Sequence, residues 1–316
     1  PEAQHEAWAA FRHLDERLHQ APPASDCVGD ALPREDRWRP FLDGLSSFIN
    51  GAELDRLSVR DYLAYEDAST DDNWRLPSGY GAFIVAQGAA VPRSLDTTVT
   101  SISLGSDVAL ETSRGTIHAR AVVVAVSTAV LARGRIRFTP PIDDHLQAAS
   151  RLPLGLADKV FLSLADVDAV PAESHLLGRA DSAATGSYYL RPFGLPVIEC
   201  FLGGANARAL EQAGPDAAFA FVTAELRKLL GADFARGLGL ITVTQWQREA
   251  TIGGSYSHAL PGHADARGVL ARPVNERLCF AGEACSPEDF STAHGAWNSG
   301  LAAAEWVERF LPAPSA

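Results

Sequence analysis

Residues 278–310, LCFAGEACSPEDFSTAHGAWNSGLAAAEWVERF, decide the fold. Leu278 to Ala281 reads as a short buried strand ending in Gly282-Glu283. A loop of about eight residues follows, and a helix begins near Ser291-Thr292. From there apolar residues recur at Ala293, Ala296, Trp297, Leu301, Ala304, Val307 and Phe310, the spacing that keeps one helical face apolar. Small residues crowd its first turns (Ala293, Gly295, Ala296, Ser299, Gly300), so a flat or bulky group can press close there. A helix N-terminus offers unpaired N–H groups and partial positive charge, which stabilise an anion. The unit reads as a cofactor seat; the plainer alternative is a strand-loop-helix unit that uses small residues for close packing.

Outward from this stretch, residues 2–20 have the pattern of an amphipathic helix, with Ala7, Phe11, Leu14 and Leu18 on one face, ended by Pro22-Pro23. A second helix is expected over Trp38–Ile49, stopped by Asn50-Gly51, and a third over Val59–Tyr65 with Ser58 as its N-cap. An apolar helix is expected over Ala82–Ala86. Residues 98–104, 108–112 and 116–119 alternate at period two, with turns at Gly105-Ser106 and Arg114-Gly115, and predict a β-meander. Ala121–Val126 is a continuous apolar run, expected to be a strand buried on both faces. A helix over 142–150 follows. Further strands are expected from Lys159 onward and over 186–191, 197–202 and 240–246, with a helix at 215–230. Strand runs with helices between them suggest a mixed sheet carrying helices on one side.

Together, F280-AGEA-C285 and S291-TAHGAWNSGLAAAEW resemble the C-terminal FAD-binding signature of the flavin amine oxidases, which include monoamine and polyamine oxidases, L-amino-acid oxidases and flavin histone demethylases. The resemblance implies an α/β fold (α+β mixed): an incomplete FAD-binding lobe and a mixed-sheet substrate-binding lobe with helices, interleaved along the chain. It divides the chain into 1–76 (helical part of the substrate lobe), 77–140 (FAD-lobe segment), 141–250 (substrate lobe) and 251–316 (C-terminal FAD-lobe segment). It implies that Thr292 and Ala293 face the pyrimidine end of the flavin, and that Gly282 and Glu283 line its pyrophosphate and ribityl chain. Trp74–Gly81 (WRLPSGYG) is similar to the family's return segment between lobes, and Val99 to the strand that touches adenine through backbone groups. Val99 reads equally well as an ordinary strand residue.

Two further groups carry chemistry through the same resemblance. Lys159 sits where the family has a lysine that holds a water against flavin N5. A lysine buried beside an apolar ring loses solvation and its pKa falls; the alternative is a lysine snorkelling at a strand edge. Trp246 and Gly253-Gly254-Ser255-Tyr256 resemble the family's tryptophan and its tyrosine that stands across the flavin face, a tolerable neighbour for an alkylammonium. By itself Tyr256 is also readable as a core or turn aromatic. Ser255 occupies the place of the cysteine that tethers flavin in monoamine oxidases, so FAD is expected to be non-covalent. Thr292 replaces their second cage tyrosine, which brings the site nearer the polyamine oxidase and histone demethylase branch.

The remaining features bound the answer. The chain has 316 residues, 47% hydrophobic and 21% charged, an ordinary globular composition. A net charge of −12 argues against a nucleic-acid ligand. No apolar run reaches the roughly 18 residues of a membrane span. Cys27, Cys200, Cys279 and Cys285 show no C-x-x-C spacing, which suggests reduced thiols, a cytoplasmic setting and no metal. His258, His263 and His294 read as polar surface or capping residues. A dinucleotide needs a glycine-rich βα turn, and neither Gly203-Gly204 nor Gly237-Leu-Gly239 supplies one; the family carries it N-terminally. There is no methionine and the chain opens within a helical pattern, so a complementary chain or a cleaved N-terminal segment is expected to bring that turn, and without it FAD is expected to bind poorly. The resemblance implies oxidation of an amine C–N bond by hydride transfer to flavin, with imine hydrolysis and reduction of O2 to H2O2. Two rivals stand beside it: an L-amino-acid oxidase or desaturase of the same fold, in which Arg191 or another arginine meets a carboxylate, and a non-catalytic scaffold without FAD.

Overall fold

The computed structural model describes residues 2–70 and 73–310. It opens with α1 (Glu2–Gln20), α2 (Arg39–Ile49), α3 (Val59–Ala68) and α4 (Tyr80–Gln87). Next come β1 (Val99–Leu104), β2 (Val108–Thr112), β3 (Gly115–Ala119), β4 (Val122–Val124), α5 (Thr128–Ala132), β5 (Arg137–Thr139) and α6 (Asp143–Arg151). The middle of the chain holds β6 (Ala157–Leu164), β7 (Ser174–Leu177), β8 (Gly186–Leu190), β9 (Val197–Gly203), α7 (Gly204–Ala213), α8 (Pro215–Leu230), α9 (Ala232–Arg236) and β10 (Leu238–Val243). It ends with α10 (Ala266–Ala271), β11 (Leu278–Phe280) and α11 (Ala293–Phe310).

Three larger cores organise these elements. The first is the helical block: Leu14 and Leu18 of α1 meet Phe41, Leu42 and Leu45 of α2 and Val59 and Tyr62 of α3. Ser58 caps α3 as expected, its hydroxyl accepting from the Asp61 N–H at 3.2 Å. The second core lies between the five-stranded sheet, ordered β10-β6-β9-β8-β7, and the helices behind it, where Val160, Leu162, Ile198 and Cys200 pack on Ala218, Val222 and Leu226. Every pair in this sheet is antiparallel. The mixing of strand directions expected for this lobe lies instead in the four-stranded sheet β3-β2-β1-β5, where β5 runs parallel to β1.

The third core joins that four-stranded sheet to the C-terminal segment: Ile102, Val108 and Phe138 meet Leu278 and Phe280. Helix α6, drawn from sequence with the 141–250 segment, contributes Ala148 and Ala149 to this same core. Strand β4 pairs only with β11, in parallel, among the described residues. The run 121–126 is therefore not buried on both faces: Val124 is buried, but Val123 and Val126 are exposed because no described layer covers that side. The same holds for α4, which buries no residue although it carries Phe83, Ile84 and Val85. No helix among the described residues is long and apolar enough to cross a membrane.

Candidate functional site

Three segments cross near Gly155, and their crossing positions the candidate site. A Cβ on Gly155 would lie 2.6 Å from the Asn50 carbonyl oxygen and 2.7 Å from the Gly51 Cα, so only glycine fits there. The Gly155 N–H donates to the Tyr256 carbonyl at 2.8 Å, and the Ser255 N–H donates back to the Gly155 carbonyl at 2.9 Å. The Ser255 hydroxyl accepts from the Ala157 N–H (2.8 Å) and donates to its carbonyl (3.0 Å), fixing the start of β6. The Tyr256 hydroxyl donates to the Phe48 carbonyl at 2.6 Å, at the end of α2, and burial pushes its pKa up.

The seam continues to the tip of α11. Glu283 accepts from the Ser257 N–H (3.1 Å), the Ser257 hydroxyl (2.8 Å) and the Ser291 N–H (2.8 Å). Both its oxygens are thus spent on holding the 257 and 291 segments together. Thr292 caps α11, its hydroxyl accepting from the Gly295 N–H at 2.9 Å and donating to the Asp289 carbonyl at 2.6 Å. A Cβ on Gly295 would sit 1.9 Å from that same carbonyl, so the first turn closes onto Asp289 only with glycine. Gly282, at φ +136, donates its N–H to the Ser299 hydroxyl at 2.7 Å, tying β11 to the side of the helix. Thr292 and Ala293 line an open cavity of about 940 Å3 with Tyr65, Trp74, Phe83 and Trp297. Lys159, Trp246 and Tyr256 do not line it. Val99 stands apart, half-buried at the start of β1 and packed against the third core.

Lys159 points from β6 to the sheet face opposite the second core. Register places Lys159 opposite Phe201 and Glu199 opposite Phe161, so the lysine and the glutamate are diagonal neighbours on that face, and they form an ion pair. Arg75 donates to the other oxygen of Glu199 at 3.1 Å and stacks on Tyr189, 3.8 Å from the ring centre. The lysine side chain is 38% exposed and paired with Glu199, and its Nζ lies 5.4 Å from the centre of the Phe201 ring. The sequence signal was available: Glu199 is the one charge inside the apolar run Val197–Gly203. Arg191 turns away, donating to the Val170 carbonyl at 2.9 Å from a left-handed backbone conformation.

Trp246 is 40% exposed, and its backbone N–H donates to Asp158 at 3.2 Å. Asp158, buried beside Lys159, went unnoticed in the sequence, as did the ion pair of Arg267 with Asp61. There Arg267 donates to the two Asp61 oxygens at 2.6 and 2.9 Å and lies 3.5 Å from the Phe290 ring centre. His258 is a correction: it is buried, not a surface or capping residue, and neither ring nitrogen has a partner. Burial and nearby Arg56, Arg267 and Arg208 lower its pKa to about 3. All four cysteines are free, with Cys279 buried in β11 and Cys285 in the turn after it.

The donor set fits one end of a flavin dinucleotide. The exposed Ala293 and Trp297 of α11, with Val123 and Val126 at β4, leave accessible apolar surface on the side of the helix N-terminus. The described residues offer no glycine-rich βα turn for a pyrophosphate.

Comparison with known proteins agrees with this architecture. Residues 6–307 match the family described as "Flavin containing amine oxidoreductase". The chain is 30% identical over 302 residues to "Lysine-specific histone demethylase 1 homolog 1" of Oryza sativa subsp. japonica, covering 89% of this chain and 35% of that protein. It is 32% identical over 199 residues to "Polyamine oxidase 5" of the same organism, covering 61% and 39%. It thus spans little more than a third of the length of these relatives. The solved structure of cyclohexylamine oxidase from Brevibacterium oxydans IH-35A shares the fold, with a TM-score of 0.76 at 21% identity, over 96% of this chain and 75% of that one. The chain belongs to the family of flavin-containing amine oxidoreductases.

Proposed function

We propose that this chain carries the substrate sheet and one side of the flavin seat of an FAD-dependent oxidase acting on the C–N bond of an amine, with imine hydrolysis and peroxide as the oxygen product. The observation that carries the reading is the seam from Ala157 at the start of β6 through Ser255-Tyr256-Ser257 and Glu283 to Thr292 at the tip of α11, beside an apolar face left open. Thr292 and Ala293 would meet the ring system, with Gly282 and the small-residue side of α11 beside the ribityl chain. Ser255 has no thiol and its hydroxyl is committed to Ala157, which supports non-covalent FAD. When bound, the flavin supplies the two-electron oxidation and passes the electrons to dioxygen.

The chain's own groups do the rest. Lys159, held by Glu199, presents a cation at the open sheet face, where it can orient a water or hold a proton. Trp246 and Tyr256 bracket the end of that strand, and Phe161 and Phe201 give the face an apolar floor. The glycine-rich turn for the pyrophosphate is assigned to a complementary chain or an N-terminal segment, and four free thiols suit a reducing, cytoplasmic setting. One observation favours the amino-acid oxidase variant: Arg75 stands beside Lys159 over Glu199, so two cations share one carboxylate on this face.

The test is oxygen uptake by the chain with FAD and the complementary segment, over a panel of alkylamines, polyamines and amino acids. Amine-dependent peroxide that falls at least tenfold in Lys159→Met supports the reading. A flavin-loaded complex that oxidises amino acids only, and loses this in Arg75→Ala, moves it to the variant. A complex that forms without flavin and leaves every substrate untouched leaves the scaffold.

A further inference from the structure

On the face of β6 opposite Lys159 lies a second pair of acidic groups. Asp158 and Glu211 of α7 are 3% and 4% exposed, and both reach the turn that carries Trp246. Asp158 Oδ1 accepts from the Thr244 hydroxyl at 2.8 Å and from the Trp246 N–H at 3.2 Å. Glu211 accepts from the Arg248 N–H at 2.7 Å and the Gln247 N–H at 3.3 Å. Four donors of residues 244–248 therefore end on three carboxyl oxygens. The fourth oxygen, Asp158 Oδ2, is buried and has no donor from any other group, while the Glu211 carboxyl lies within hydrogen-bonding reach of Asp158. Two ionised carboxylates cannot hydrogen-bond to each other; one proton between them removes both the orphaned oxygen and the repulsion.

We propose that Asp158 and Glu211 share one proton and act as a positioning pair for the Trp246 turn, which loosens when that proton is lost. Its bearing on catalysis rests on the function proposed above; the pair itself does not. The surrounding charges do not replace the proton. The Arg248 guanidinium is turned to the Gln212 carbonyl (3.3 Å), Glu249 accepts from the Thr251 hydroxyl, Arg208 acts on His258, and Lys159 points to the other face of the sheet. Burial raises the Asp158 pKa to about 6; its bonds from Thr244 and Trp246 oppose the rise, and the neighbouring Glu211 adds to it. The sign follows. A carboxyl whose folded pKa lies above its unfolded value binds its proton more tightly when folded. Its contribution is complete below about pH 4 and is lost as pH rises through about 6.

The experiment is residue-resolved amide hydrogen exchange on the full chain, expressed as protection factors so that intrinsic pH effects cancel, with Leu162 of β6 as the internal reference. Protection at Trp246 and Arg248 should fall about tenfold between pH 5 and pH 7.5 while Leu162 holds. In Asp158→Asn the amide still accepts from Thr244 and Trp246 and donates to Glu211 without a titrating proton, so protection should stay high and flat. In Asp158→Ala it should be low at both pH values; should Leu162 also lose protection there, the wild type and Asp158→Asn decide alone. A flat wild-type profile, or a slope kept in Asp158→Asn, overturns the proposal. No flavin is needed for this readout, so failure here and failure of amine oxidation are separate results.

Discussion

Helices α8 and α11 are of similar length, 16 and 18 residues, and both carry an apolar stripe at helical spacing. Helix α8 buries Ala218, Val222 and Leu226 against the five-stranded sheet. Helix α11 buries only Gly295 and Ala303, and leaves Trp297 59% and Leu301 50% exposed. Their sheets differ in the same way: β6 and β9 are covered on one face by three helices, whereas β4 and β11 form an isolated pair with Val123 open. An apolar stripe reports that a surface needs covering; it does not say whether a neighbouring segment or another component does the covering. In the α8 region the cover is in the chain. In the α11 region none of the described residues provides it, and that is the side on which we place the flavin.

The largest expected effect lies at the buried ion pair between α10 and α3, set against an exposed pair on α11. Arg267→Ala would strand the buried Asp61 without its cation, at a cost of about 3–5 kcal/mol in urea unfolding. Arg309→Ala, whose partner Glu305 is 4.0 Å away and exposed, should change nothing measurable. Equal effects would mean that the open face of α11 is as closed as the interior beside it. Leucine truncation sharpens the same contrast: Leu226→Ala should cost about 2–5 kcal/mol, and Leu301→Ala under about 0.5 kcal/mol. A costly Leu301→Ala in the isolated chain would show that the α11 face is already covered.

A smaller effect comes from His258. Its folded pKa, about 3, lies below the unfolded value, so it favours the fold above about pH 6.5 and loses that contribution as pH falls toward 3. About 2 kcal/mol should disappear between pH 6.5 and 5, and His258→Gln should flatten that part of the curve. An unchanged slope would indicate that the ring takes up a proton within the folded state.

Local patterns made much of the fold legible. The helix over 215–230, the Ser58 cap and the β-meander stand where spacing placed them. Helix α7 was invisible because its buried positions are Gly204, Ala207 and Glu211, which carry no apolar period. Strand β7 was missed for a related reason: its four residues, Ser174–Leu177, are too few to show alternation. The site was legible through motif residues, but their partners were not. Glu199, Asp158, Glu211 and Arg267 lie 36 or more positions from the groups they meet, apart from the more local contacts of Arg267 with Ser257, Ala284 and Phe290, and pairings of that range exist only once the chain has folded. Glu283 also binds Ser257 and Ser291, which sets the position of the helix tip, and that part of its role is not readable from the motif.

The central claim is that the tip of α11 is a flavin seat, and its most direct test is a titration with FAD in the presence of a segment supplying the glycine-rich turn. Uptake is followed by quenching of flavin fluorescence, in the wild-type chain and in Ala293→Glu. Ala293 is exposed, so the substitution should leave far-UV circular dichroism unchanged. The account predicts saturable uptake that weakens at least tenfold in the variant. Uptake identical in the two proteins, or a segment that binds the α11 face while FAD stays free, would contradict it.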